Sequence, residues 1–341
     1  MTSTEDNYGE AKIRTDRLLD IDRAKGFAIA LVVWGHLASA TLGSSPLWFL
    51  ISISTIYSFH MPLFMYFSGF VFFYVNGPDR FLNAPLRQAL SRSNRLLVPF
   101  LVFGFLVVLG KYAASNLGGV VDPVGSLSEG LSKVVRNTQD NPSASIWYLL
   151  VLFIYTIITP VVWKIGKRRI SVILLIGFVG WLSQLPEEFY LNRIASYYIF
   201  FGVGALCAVN AKIILPIFSR LNLIFMAIFI FIVIHYFDKP LGLLLCGLAS
   251  IPAIHGLFRQ RLWQGDSIFL TLGRYSMAIY LLNTIFLGVA KLAALRLTAD
   301  YHLPFTVYIV TLFTIGLCGP IAVRRALGYF PHLRPVTRYL D

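Results

Sequence analysis

Leu96-Leu97-Val98-Pro99-Phe100-Leu101-Val102-Phe103-Gly104-Phe105-Leu106-Val107-Val108-Leu109-Gly110 contains no side chain that carries charge or forms hydrogen bonds. Arg92 and Arg95 precede this run and Lys111 follows it. A surface helix of a soluble protein sets a polar face against its apolar stripe; here there is no polar face. The run predicts a lipid-solvated helix over residues 96–114. That is close to the roughly 20 residues needed to cross a hydrocarbon core about 30 Å thick.

Similar runs occupy residues 27–42, 54–75, 146–163, 170–185, 194–210, 221–236, 241–257, 272–290 and 303–323. The fold class that follows is an all-α integral membrane protein with about ten transmembrane helices. Composition agrees. The 341 residues are 57% hydrophobic and 13% charged, with mean hydropathy +0.71. A soluble domain of this size cannot hide that much apolar surface in one core.

Basic residues test the count independently. When alternate loops are assigned to alternate sides from a cytoplasmic N-terminus, 22 of the 29 Lys and Arg fall inside. The other seven are Lys111, Lys133, Arg136, Arg193, Lys239, Lys291 and Arg296. This is the asymmetry of the positive-inside rule, and it predicts that both termini are cytoplasmic. The expected organisation is a tail over 1–24, a polytopic domain over 25–325 and a second tail over 326–341. The net charge of +13 reflects cations that punctuate spans instead of lining one face, which argues for anionic lipid or an anionic cosubstrate and against nucleic acid.

Cys207, Cys246 and Cys318 all fall within apolar runs at no metal-binding spacing, so buried free thiols are expected and no metal. Ala38-Ser39-Ala40 resembles a signal-peptidase site, but the segment before it is long and acidic, and Trp34-Gly35-His36 interrupts its apolar run. The loop over 115–145 carries turn signals at Gly118-Gly119, Asp122-Pro123 and Asn141-Pro142 and is expected to be a lid or an irregular connection.

Ionisable side chains at bilayer depth are costly and mark function. His36 lies roughly 15 Å into the first span, and His60 lies at a similar depth in the second, antiparallel one. Lys25 precedes His36 by almost three helical turns, so the two share a face about 16 Å apart along the axis. Asp22 is placed to pair with Lys25. Pro62 denies a partner to the carbonyl of Ser58 and permits a kink. Ser68-Gly69 leaves room for close approach of a helix or ligand. Simpler roles compete: packing hydrogen bonds for the histidines, snorkelling for Lys25, and an interfacial belt for Trp147 and Trp163. His235 and His255 near span ends, and His302 and His332 in polar segments, are expected to be structural or exposed.

Leu19-Asp20-Ile21-Asp22-Arg23-Ala24-Lys25-Gly26, continuing through Val32-Val33-Trp34-Gly35-His36, resembles the opening motif of the membrane-bound acyltransferase-3 family, and most closely its fucose O-acetylase-like branch. Ser58-Phe59-His60-Met61-Pro62-Leu63-Phe64-Met65-Tyr66-Phe67-Ser68-Gly69-Phe70 resembles the family's second-span signature. Arg92-Ser93-Asn94-Arg95-Leu96-Leu97-Val98-Pro99 is similar to its basic entry to the third span, and Ser145-Ile146-Trp147-Tyr148-Leu149 to the opening of the fourth.

The resemblance implies about ten helices and transfer of an acyl group, usually acetyl from acetyl-CoA, to a hydroxyl of a cell-surface carbohydrate or lipid-linked glycan. It places the protein in a cell membrane, the bacterial inner membrane by expectation. His36 matches the family's proposed catalytic histidine. Lys25 stands where much of the wider family has Arg. Asn283 ends a motif, Gly273 to Asn283, that often ends in His, and it cannot be a general base.

A neutral imidazole suits deprotonation of a hydroxyl at cellular pH. The expected arrangement puts CoA phosphates at Lys25, Arg92 and Arg95, the base at His36, and His60 either on the thioester carbonyl or on the acceptor. A glycan or lipid transporter is the rival from another class, disfavoured by the scarcity of intramembrane acids and the lack of an inverted repeat. A scaffold subunit of an export complex is a third.

Overall fold

The computed structural model describes residues 18–41, 45–115, 124–136, 143–297 and 304–340. Helix α1 (Leu19–His36) passes into a 3-10 turn at Leu37–Ala40. Then come α2 (Leu47–Tyr57), α3 (His60–Tyr74), α4 (Gly77–Asn83) and α5 (Pro85–Arg92). A π-helical turn at Ser93–Leu97 joins α5 to α6 (Val98–Ala114), and α7 (Leu127–Arg136) and α8 (Trp147–Ile165) follow. The chain continues through α9 (Ile170–Leu182), α10 (Leu191–Val209), α11 (Ala211–Arg220), α12 (Asn222–Tyr236) and α13 (Gly242–Phe258). It ends with α14 (Ile268–Arg274), α15 (Ser276–Leu297), α16 (Phe305–Tyr329) and α17 (Arg334–Thr337).

All ten apolar runs contain helix, but among the described residues six helices are long and apolar enough to cross a membrane, or seven if the bent α11–α12 pair counts as one span. The remainder fall short for separate reasons. With 13 residues, α9 reaches only about 20 Å, and α13 has 17 residues. A bend of 77° separates α12 from α11. Helix α1 carries Asp20, Asp22, Arg23 and Lys25 in its first two turns.

Several expected boundaries move. Helix α1 starts at Leu19 and not near Phe27, because its early charges have tertiary partners: Arg23 donates to the Gln264 carbonyl at 2.9 Å, and Arg259 holds Asp20 at 2.5 Å. The second span begins at Leu47, directly after the extended Pro46, and runs to Tyr74. The third is a single 30-residue helix from Pro85 to Ala114, so Arg92 and Arg95 lie within it and not ahead of it. The connection over 115–145 contains α7, which is tied to the body by Tyr190 Oη donating to the Val134 carbonyl at 2.5 Å. Its three turn signals lie outside the described residues.

The expected kink in the second span occurs at Ser58-Phe59, where Phe59 leaves helical geometry at φ −141°. The amides of Ser58 and Phe59 turn back three residues, to Thr55 and Ile56, and Pro62 has no N–H to offer Ser58. Ser68-Gly69 does allow close helix approach. A Cβ on Gly69 would overlap the Phe201 carbonyl of α10, and one on Gly204 of α10 would overlap the Tyr66 carbonyl. Backbone contact of this kind takes the place of the hydrophobic drive that lipid cannot supply.

Candidate functional site

His36 ends α1, and its imidazole Nδ1 lies 2.6 Å from Oδ1 of Asn283 on α15. Asn283 is fully buried. Its amide nitrogen donates to the carbonyls of Ile279 at 2.7 Å and Tyr280 at 2.9 Å. Two carbonyl acceptors fix the amide orientation, so Oδ1 faces His36 and can only accept. Nδ1 of His36 must therefore carry the proton, leaving Nε2 with a free lone pair.

His60 opens α3 and has the same tautomer for a different reason. Its Nδ1 donates to the Ile56 carbonyl at 2.7 Å, in the stretch where the helix breaks. Tyr57 packs its ring 5.2 Å from the His60 ring and donates its hydroxyl to the Gly35 carbonyl at 3.0 Å. The break thus fastens α2 to α1 and turns His60 toward the same space as His36.

That space is a cavity of about 810 Å³, lined by both histidines, Ser39, Tyr57, Ser145, Trp147, Tyr197, Tyr280 and Thr284, with Lys111, Arg193 and Lys291 also in its wall. Thr284 Oγ1 is buried and has no hydrogen-bond partner in the protein. Trp147 is 8% exposed. It packs 4.9 Å from Tyr197 and lies under the Arg193 guanidinium at 5.3 Å. It forms part of the cavity wall.

Lys25, Arg92 and Arg95 lie elsewhere. None lines the cavity. They form a separate group around the start of α1: Lys25 is within electrostatic range of Asp22 and Arg95, and Arg92 of Arg95 and Arg80. Arg92 also stacks over Phe72 at 5.4 Å. Aromatic side chains form a partition from this cluster, where Tyr148 is within electrostatic range of Arg95, to Tyr280 in the cavity lining. Tyr148 shares a 2.5 Å hydrogen bond with Ser68 and packs edge-on against Phe64 and Tyr280 at 5.8 and 5.7 Å. Tyr280 donates to the Ser145 carbonyl.

Sequence reasoning missed two things. The bond that Asn283 accepts from His36 joins residues 247 positions apart. The cavity lysines and arginine were visible only as exceptions to the charge count. His255 is fully buried, with Nδ1 2.6 Å from the Tyr66 hydroxyl and Nε2 3.6 Å from Asp20, well away from the cavity lining. His235 is exposed and His332 lies in an exposed stretch; His302 lies outside the described residues.

Comparison with known proteins bears on the chemistry. A family model described as an acyltransferase domain, that of the acyltransferase-3 family, matches residues 18–325. Nodulation protein NolL of Mesorhizobium japonicum is 29% identical over 161 residues, covering 46% of this chain and 39% of that protein. Nodulation protein NolL of Sinorhizobium fredii is 33% identical over 102 residues, 29% of this chain and 26% of that protein. The alignments thus span well under half of these relatives. No solved structure matches. The chain belongs to the acyltransferase-3 family.

Proposed function

We propose that this acyltransferase moves an acetyl group from acetyl-CoA to a hydroxyl of a cell-surface or lipid-linked carbohydrate, with His36 as the general base. The observation that carries the reading is the Asn283–His36 contact, which leaves a basic Nε2 on an imidazole that borders a cavity of about 810 Å³.

In the reaction, Nε2 of His36 takes the acceptor hydroxyl proton as the oxygen attacks the thioester carbonyl. The tetrahedral oxyanion collapses, the C–S bond breaks, and the CoA sulfur leaves as a thiol with the proton returned from His36. His60, with its only N–H given to Ile56, can accept but not donate while neutral. It therefore orients the acceptor by accepting from a second hydroxyl of the sugar and does not polarise the carbonyl. The hydroxyl of Thr284, which has no protein partner, is the donor for the oxyanion.

The phosphates of CoA rest at Lys25, Arg92 and Arg95, and the pantetheine arm runs along α1. Tyr148 and Tyr280 stand across that route, so delivery requires their side chains to turn. The topology that fits is about ten spans with both termini in the cytoplasm of a bacterial inner-membrane protein. Here α1, α9, α12 and α13 cross with help from their neighbours. The charge distribution, 22 of 29 basic residues on one side, supports it.

The test is transfer or hydrolysis of labelled acetyl-CoA by the purified protein in detergent, paired with mass spectrometry of glycans from a deletion strain and its parent. Loss of an acetyl group from the deletion strain's glycans is expected. Unchanged glycans together with an inert purified protein would refute the reading.

A further inference from the structure

We propose that the part of the cavity bordered by Lys111, Arg193 and Lys291 is a subsite for an oxyanion carried by the acceptor, a carboxylate or a phosphoryl group, held chiefly by Lys291 and Arg193. The inference rests on the acyl-transfer reading and specifies the acceptor that reading leaves open.

Three cations and no carboxylate line the cavity among the described residues. Lys291 is only 9% exposed. Its ammonium donates to one carbonyl, that of Ser39, at 3.3 Å, which leaves two N–H groups for a ligand. Arg193 lies over Trp147, with Nε 3.5 Å from Glu187, and Glu187 is not part of the lining. A desolvated ammonium with no carboxylate beside it among the described residues is expensive at such a site.

Orientation in the membrane does not account for these cations. All three belong to the seven basic residues that the positive-inside rule leaves on the external side. A neutral sugar entering the cavity would strip water from Lys291 and return no charge. A sugar acid, or a glycan on a lipid phosphate, compensates Lys291, adds to the negative charge already beside Arg193, and is drawn in with its hydroxyls toward His36. The Lys25 cluster does not border the cavity, so donor and acceptor anions have separate seats.

Isothermal titration on the purified full-length protein tests this with methyl glucuronide, geranyl pyrophosphate and neutral methyl glucoside, alongside CoA. At least one anionic probe is expected to bind roughly tenfold or more tightly than methyl glucoside, the scale of one charge-assisted hydrogen bond. Lys291→Met should weaken that probe by a similar factor, while Lys291→Arg keeps it within about threefold. Arg193→Gln gives an independent reading should Lys291→Met fail to fold. Preference for the glucuronide assigns a sugar acid, and preference for geranyl pyrophosphate assigns a lipid phosphate. Methyl glucoside binding as tightly as both anions overturns the proposal. So does an equal loss of CoA binding in Lys291→Met, which would make these cations the donor site. Wild type that binds CoA but neither anion overturns this proposal alone; wild type that binds an anion but not CoA overturns only the acetyl-CoA reading.

Discussion

Asn283 and His36 are joined by one 2.6 Å hydrogen bond whose direction is fixed from the Asn283 side, because both amide hydrogens of Asn283 are already committed within α15. A residue unable to act as a base thereby decides which nitrogen of the neighbouring imidazole is free. Asn283→Ala should lower kcat by roughly tenfold or more while leaving KM for acetyl-CoA nearly unchanged, since orientation of the base is lost and donor contacts are not. Steady-state kinetics on the purified variant checks this. A change confined to KM would remove Asn283 from this role.

His36→Ala should abolish acetyl transfer with near-normal expression and membrane insertion. Loss of a general base costs about 10²–10⁴ in rate. Activity within a few-fold of wild type would show that another group takes the proton.

Lys25→Ala should mainly raise KM for acetyl-CoA and weaken CoA binding, because a phosphate contact contributes binding energy to ground and transition states alike. Lys25→Arg should recover part of the loss, charge being kept while geometry changes. Titration with CoA decides the matter: wild-type affinity in Lys25→Ala would leave Lys25 as a topological anchor only.

Gly69→Ala should destabilise the fold, by about 1–3 kcal/mol on the scale of overpacked cores, because the added methyl meets the backbone of α10 at Phe201. A lowered thermal midpoint in detergent is the expected result. An unchanged midpoint would mean that the α3–α10 crossing can open without cost.

Ser128, exposed on α7, offers a test of topology. With the exposed Cys318 replaced by Ser, Ser128→Cys should react with an impermeant thiol reagent from outside intact cells. Labelling only after permeabilisation would sink the ten-span arrangement.

The apolar runs were legible because each is local: Leu96 to Gly110 declares a lipid-facing helix without reference to any other residue. The start of α1 was not. Asp20 and Arg23 look like loop residues until Arg259, Gln264 and Asp266 are brought against them from more than 230 positions away. The second-span kink could be read from Pro62, since a missing N–H is a property of one residue. The Asn283–His36 pair could not, because its meaning depends on which carbonyls the Asn283 amide finds on its own helix. The place of Trp147 in the cavity wall was hidden for a related reason: it depends on Tyr197 and Arg193, 50 and 46 positions away.

The aromatic partition of Tyr148, Phe64 and Tyr280 has an electrical consequence. Among the described residues, neither Ser68 nor the Lys25 cluster lines the cavity, so this cavity is not an aqueous path along the length of α1. A bilayer holding this protein at rest should keep its membrane potential, with no measurable conductance. Under the proposed acetyl transfer, what crosses in each cycle is an uncharged two-carbon fragment on a thin arm, and the field across the membrane does no work on it.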